Sequence, residues 1–249
     1  MFQRMNWKNF WKSLDDWGEN MQTVNSNEIT EGYFIRELKN RFLCEVEVDS
    51  KLAVCYVPSS CHLSNFLDLH GKRVLLIPNK SKNTRTEYSL FAVPYKRSYI
   101  ILNTSMANRA VEASIAQRRF SFLGKRKSVK KEITKGGYKW DLLIEESNTL
   151  VEIKSVISTK TPAIFPTVYS ERTLKQLQTI SNLLSIRNKI CFLVVSLNPY
   201  IQEICLDQGT EFYPALKSCI EQGLILKGYT VRFKDSRLVI DKEIPVVTN

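Results

Sequence analysis

Between Tyr138 and Val156 the chain carries two short runs in which apolar and polar residues alternate, separated by Glu145-Glu146-Ser147-Asn148. Period-two alternation belongs to strands that bury one face, so the stretch predicts a hairpin. Trp140, Leu142 and Ile144 fall on one face of its first strand and Asp141 on the other. On the second strand Val151 and Ile153 share a face, opposite Glu152 and Lys154. Facing side chains of an antiparallel pair come within about 5 Å. Closing the hairpin therefore sets Asp141 opposite Glu152 or Lys154. Carboxylates and an ammonium group then leave a largely apolar hairpin in one direction.

Paired carboxylates can hold a hard divalent cation such as Mg2+ through oxygen. The cation polarises a phosphoryl oxygen and lowers the pKa of a bound water. A neighbouring lysine orients that water or offsets the charge that builds on phosphorus. Ten residues separate Asp141 from Glu152 and one separates Glu152 from Lys154, the spacing of the PD-(D/E)xK nuclease core. Taken alone, the same pattern also describes an exposed strand face with a solvated ion pair.

Charge narrows the choice. The net charge is +11, an excess that signals a polyanionic partner, nucleic acid or an acidic membrane surface. The most basic stretch leads into the hairpin: Arg118, Arg119, Lys125, Arg126, Lys127, Lys130, Lys131, Lys135 and Lys139, with Glu132 the only acid from Arg118 to Lys139. A basic run is ordinarily a solvated face. Its position next to Asp141 favours a phosphate-binding surface. The six cysteines are scattered with no CxxC pair, as expected of reduced core residues in a cytoplasmic protein. Cys55, Cys61, His62 and His70 match no usual zinc spacing. Neither a signal peptide nor an apolar run long enough to cross a bilayer is read from the sequence.

Three regions follow along the chain. Residues 1 to 31 read as an amphipathic helix carrying Trp7, Trp11 and Trp17, then a polar linker. That helix suits packing on the body of the protein or on a second copy, as a homodimer. Acids balance its bases, so no stable membrane association is expected. Residues 32 to 104 read as five short strands, Tyr33 to Val48 being the first, and predict an OB-like β-barrel. In such a barrel Tyr33, Phe34, Tyr56 or Tyr88 could offer a face to a stacked base. Residues 105 to 249 alternate helices and strands. Helices are predicted over Asn103 to Arg119, Ser170 to Ile186 and Glu211 to Gln222, with a doubly buried strand over Ile190 to Leu197. Arg172, Lys175, Gln176 and Thr179 share the polar face of the second helix. The fold class is mixed α+β: a barrel followed by a central mixed sheet flanked by helices.

From Gly32 to about Tyr229 the chain resembles the sugar fermentation stimulation family. The segments that carry the likeness are Arg41-Phe42-Leu43-Cys44-Glu45-Val46, Val57-Pro58-Ser59-Ser60-Cys61-His62-Leu63 and Leu102-Asn103-Thr104 with Asn108. They continue through Glu132-Ile133, Asp141, Val151 to Val156, Phe165-Pro166, Glu171-Arg172, Lys175 and Leu177. The resemblance implies an OB-like domain followed by a PD-(D/E)xK nuclease domain, in a DNA-binding, metal-dependent nuclease. Carried over by position, Asp141 and Glu152 are metal ligands for Mg2+ or Mn2+. Lys154 is the catalytic lysine, Glu132 an auxiliary acid, and Arg172 and Lys175 phosphate contacts, with Gln176 beside them. The carbonyl of Ile153 is the expected main-chain ligand. Thr167, Thr173 and Gln176 stand where the family has aspartate, glycine and histidine. Those departures leave a second reading open: a DNA- or RNA-binding regulatory protein with a weak or silent nuclease core.

Overall fold

The computed structural model describes residues 29–59, 62–79, 85–234 and 237–248. The tryptophan-bearing segment and Cys61 lie outside them. Strands β1 (Thr30–Glu37), β2 (Leu43–Val48), β3 (Lys51–Tyr56), β4 (Arg73–Pro78), β5 (Tyr88–Tyr95) and β6 (Ser98–Ile101) form the first sheet. Its order is β3-β2-β1-β4-β5-β6, and a short parallel pairing of β3 with β5 closes the barrel. The run from Tyr33 to Val48, expected as one strand, is two strands paired with each other. Gly32 permits the close crossing there: a Cβ would stand 2.6 Å from a Val46 methyl and 2.8 Å from the Glu47 carbonyl. Phe34 and Tyr56 are buried in the barrel. Of the aromatics expected to stack on bases, that leaves the exposed Tyr33 and the half-buried Tyr88.

Helix α1 (Met106–Ser114) follows, shorter than the sequence suggests, and a 3-10 segment spans Arg118–Leu123. The second sheet is built from β7 (Val129–Lys135), β8 (Tyr138–Ile144) and β9 (Thr149–Val156). After β10 (Ala163–Phe165) and α2 (Glu171–Ser185) it adds β11 (Lys189–Ser196). After β12 (Ile204–Leu206) and α3 (Phe212–Glu221) it closes with β13 (Ile225–Lys234) and β14 (Arg237–Ile244). The order is β14-β13-β11-β9-β8-β7, with β9, β11 and β13 parallel and the outer pairs antiparallel. With β15 (Val246–Val247), β10 and β12 make a small parallel sheet that the sequence did not suggest.

Strand β11 is buried on both sides, as its unbroken apolar run requires. Cys191, Leu193 and Val195 join a core that also holds the barrel interior and α1. Ile190, Phe192 and Val194 join a second core beneath α2 and α3. The barrel and the mixed sheet thus share one apolar interior, tied at their junction by the Ile101 N–H to the Leu197 carbonyl.

Candidate active site

The predicted hairpin forms, but its strands separate at the residue of interest. Pairing runs Ile144↔Thr149, Leu143↔Leu150, Leu142↔Val151 and stops. Leu142 and Ile144 point into the core shared with the barrel, whereas Trp140 is buried in the other core. Simple alternation put all of them on one face, and the structure corrects this. The neighbouring strand changes at the same place. On β7, Glu132 adopts a positive φ of 51° between the pairs Lys131↔Leu142 and Ile133↔Trp140. Val129 packs toward the first core and Ile133 toward the second, so β7 and β8 change phase together. Asp141 sits at the change of phase. Its carboxylate takes the place of a ladder bond: Oδ2 accepts the Ile153 N–H at 2.7 Å, and Oδ1 accepts from Asn108 Nδ2 of α1 at 2.7 Å.

Glu152 is almost fully buried, 3% exposed. Its Oε1 accepts from Lys154 Nζ at 2.7 Å and from the Tyr138 hydroxyl at 3.2 Å. Its Oε2 is buried with no partner. Burial, and then the charge of Glu152, push the Asp141 carboxyl up to about 7, against the pull of Ile153, Lys154 and Asn108. Burial and the same Glu152 charge hold the Tyr138 phenol well above its ordinary value. These paired carboxylates therefore repel each other in a dry setting, and one bare oxygen faces no donor.

Beside them runs an open groove of about 650 Å³ between the Gly137–Lys139 segment and the first turns of α2. Tyr138, Lys139, Arg172, Lys175 and Gln176 line it, with one acid, Glu171, among them. Helix periodicity put Gln176 on the solvent face. It is instead 2% exposed, and its Nε2 has no partner. Arg172 and Lys175 are exposed, and Arg172 is near enough to act on the Tyr138 phenol.

The other predicted residues are not brought together in this way. Glu132 neighbours Asp141 in the ladder, but its carboxylate is exposed and bound to Lys139, outside the buried cluster. Much of the basic stretch has its charges taken up within the chain. Lys130 pairs with Glu145 and Lys131 with Glu112. Arg119 donates to the Asp241 carbonyl, and Arg126 to the carbonyls of Ile115 and Gly124. Arg118 lines a separate shallow crevice with Phe122 and Lys227. Lys125 and Lys127 are exposed on the approach to β7. Replacing Arg126 by alanine should therefore destabilise the fold by about 1–2 kcal/mol, since it removes charged donors from main-chain carbonyls. Lys125→Ala and Lys127→Ala should stay within about 0.5 kcal/mol of wild type in the same denaturant titration. Reading from the hairpin alone misses Asn108 and Tyr138 as partners of the acids. Asn108 lies 33 positions before Asp141, and no local spacing connects them.

Comparison with known proteins agrees with this architecture. A family described as "Sugar fermentation stimulation protein RE domain" matches residues 105–237, and one described as "SfsA N-terminal OB domain" matches residues 37–102. The sugar fermentation stimulation protein homolog of Natranaerobius thermophilus is 25% identical over 233 residues, covering 89% of this chain and 95% of the relative. The homolog of Chloroflexus aggregans is also 25% identical, over 83% of this chain and 81% of its own. Among solved structures, Pyrococcus furiosus SfsA in complex with Ca2+ superposes with a TM-score of 0.76, covering 91% of this chain and 99% of that one. At 17% identity, that likeness is one of fold.

Proposed function

The chain belongs to the sugar fermentation stimulation protein family, and on that footing we propose that it is a divalent-metal-dependent nuclease acting on DNA or RNA. The observation that carries this reading is the bare, buried Oε2 of Glu152 beside a crowded Asp141. Leaving a buried polar atom without a partner costs about 1–3 kcal/mol, more when it is charged. A hard cation relieves both strains at once.

The donor set fits such an ion. Among the described residues no group of three His, Cys, Asp or Glu side chains is placed to hold a metal. Two carboxylates and a carbonyl are a donor set that suits Mg2+ or Mn2+. Mg2+ keeps several waters and binds through one or two carboxylates plus substrate phosphate oxygens. Asp141, Glu152 and the Ile153 carbonyl would hold it. The Pyrococcus furiosus relative was solved with Ca2+, another oxygen-seeking cation. When bound, the metal would polarise a phosphoryl oxygen and acidify a water. Lys154 carries no lone pair while protonated, so it cannot be a ligand. Its ammonium instead donates to Glu152 and offers positive charge where the phosphoryl group gains negative charge. Arg172, Lys175 and the spare donor of Gln176 would track the phosphate backbone along the groove.

The test is cleavage of labelled single- and double-stranded DNA and RNA with Mg2+, Mn2+ or EDTA. Cleavage that EDTA abolishes supports the reading. Binding should weaken with salt, log affinity falling by about 0.7–0.9 per log unit for each phosphate contact. Arg172→Ala and Lys175→Ala should each flatten that slope by about one contact. One observation favours binding without cleavage. Thr167, standing where the family has aspartate, spends its hydroxyl on the Ile164 carbonyl of its own loop. Salt-sensitive binding with no metal-dependent cleavage would select that reading.

A further inference from the structure

The geometry points to Tyr138 as a positioning residue that aims Glu152 at the cation and joins the phosphate groove to the acids. This rests on Asp141 and Glu152 being the metal ligands. Tyr138 opens β8, its hydroxyl donates to Glu152 Oε1 at 3.2 Å, and Lys154 Nζ lies 2.7 Å from the same oxygen. With both donors on Oε1, the carboxylate cannot swing freely, and Oε2 is left as the open oxygen. Lys154 alone would not fix that orientation, because its ammonium sits on a flexible stem.

The phenol is itself held firmly. Its ring packs edge-on against Trp140, centroids 5.4 Å apart, and the Trp140 indole N–H donates to the Lys135 carbonyl at 3.0 Å. Tyr138 also lines the groove with Arg172, Lys175 and Gln176. A phosphate drawn in by those residues lies beside the hydroxyl that steers Glu152. Gln176 offers an acceptor in the groove one more donor. It is an almost fully buried amide on the groove wall whose donor nitrogen has no partner. Unpaired buried donors are rare unless something absent supplies the acceptor.

Tyr138→Phe removes the hydroxyl and keeps the ring on Trp140. Calorimetry of Mn2+ binding to the full chain should then show affinity about tenfold lower, the scale of losing an outer-shell partner of a metal ligand. The thermal midpoint in EDTA should fall only slightly, because Oε1 keeps Lys154 as a donor. With a labelled oligonucleotide, kcat should fall and KM stay. Arg172→Ala should do the reverse, raising KM with Mn2+ affinity intact. If Tyr138 acts through Glu152, adding Tyr138→Phe to Glu152→Gln should lower Mn2+ affinity no further. Wild-type Mn2+ affinity in Tyr138→Phe, or a full additional loss in the double variant, overturns the proposal. A wild-type protein that takes up no Mn2+ overturns the metal-site reading as well.

Discussion

Glu152→Gln should weaken metal binding and slow cleavage together. The substitution keeps the shape of the side chain and removes its charge, and with it the bare Oε2 anion that the site offers to a cation. If the metal supplies several kcal/mol of transition-state stabilisation, the rate should fall about a thousandfold or more. Asp141→Asn should act in the same direction. An amide also cannot accept at both ends, so it must give up either the Asn108 or the Ile153 hydrogen bond. Lys154→Ala should separate the effects, with cleavage lost and the metal still bound. With the acids on a solvent-facing cleft, as the sequence suggests, all three variants would stay folded at little cost. The structure changes that expectation for Lys154. Its partner Glu152 has a side chain only 4% exposed, so removing the ammonium strands a buried carboxylate. Lys154→Ala should therefore be less stable than wild type in EDTA and recover when Mn2+ is added. The measurements are cleavage rate against metal concentration, calorimetry of metal binding, and denaturation with and without metal. A Glu152→Gln protein that cuts at the wild-type rate would show that the site is elsewhere.

Without metal, the stability of the fold should fall as the solution is made less acidic. The Asp141 carboxyl has an ordinary value of 3.8 and is raised to about 7 in the folded chain. The unfolded chain gives up this proton near the ordinary value, while the folded chain keeps it. Between those limits the native state binds more protons, so the contribution is full below about 4 and is lost as pH rises through about 7. The slope from this group is about 1.4 kcal/mol per pH unit, a loss on the order of a few kcal/mol across the window. Denaturation midpoints in EDTA from pH 4 to 8 test this most cleanly as a difference between variants. Asp141→Asn should remove that component of the slope, whatever its offset. Saturating Mn2+ should remove it in the wild type, because the ion takes the place of the proton. Equal pH dependence in wild type and Asp141→Asn would show that the paired acids are not strained.

The two predictions differ in how far they were readable beforehand. Residue types and spacing were enough to mark Asp141, Glu152 and Lys154, because a hairpin with period-two alternation leaves few ways to place them. The barrel followed by a mixed sheet was legible for the same reason: strand and helix periods and turn residues are local properties. The strain on Asp141 was not. It depends on how deeply two carboxylates are buried and which donors reach them, and those donors come from α1 and from the far end of β8.

Elements whose pattern is their own, such as β11, α2 and α3, were therefore determined by the sequence by itself, to within a few residues. So were the acids and the lysine of the hairpin, and the excess of positive charge. Tertiary structure alone decided what those charges do. Lys130, Lys131, Lys139, Arg119 and Arg126 look equivalent along the chain, yet each is taken up by an acid or a carbonyl that folding brings alongside. Gln176, polar by periodicity, is buried on the groove wall once α2 is packed in the fold. Trp140 leaves the face of Leu142 at the point where Glu132, on the neighbouring strand, takes a positive φ. Periodicity reports the average face of an isolated element. A change of phase, a buried orphan or an ion pair belongs to the contact between elements, and the sequence order does not carry it.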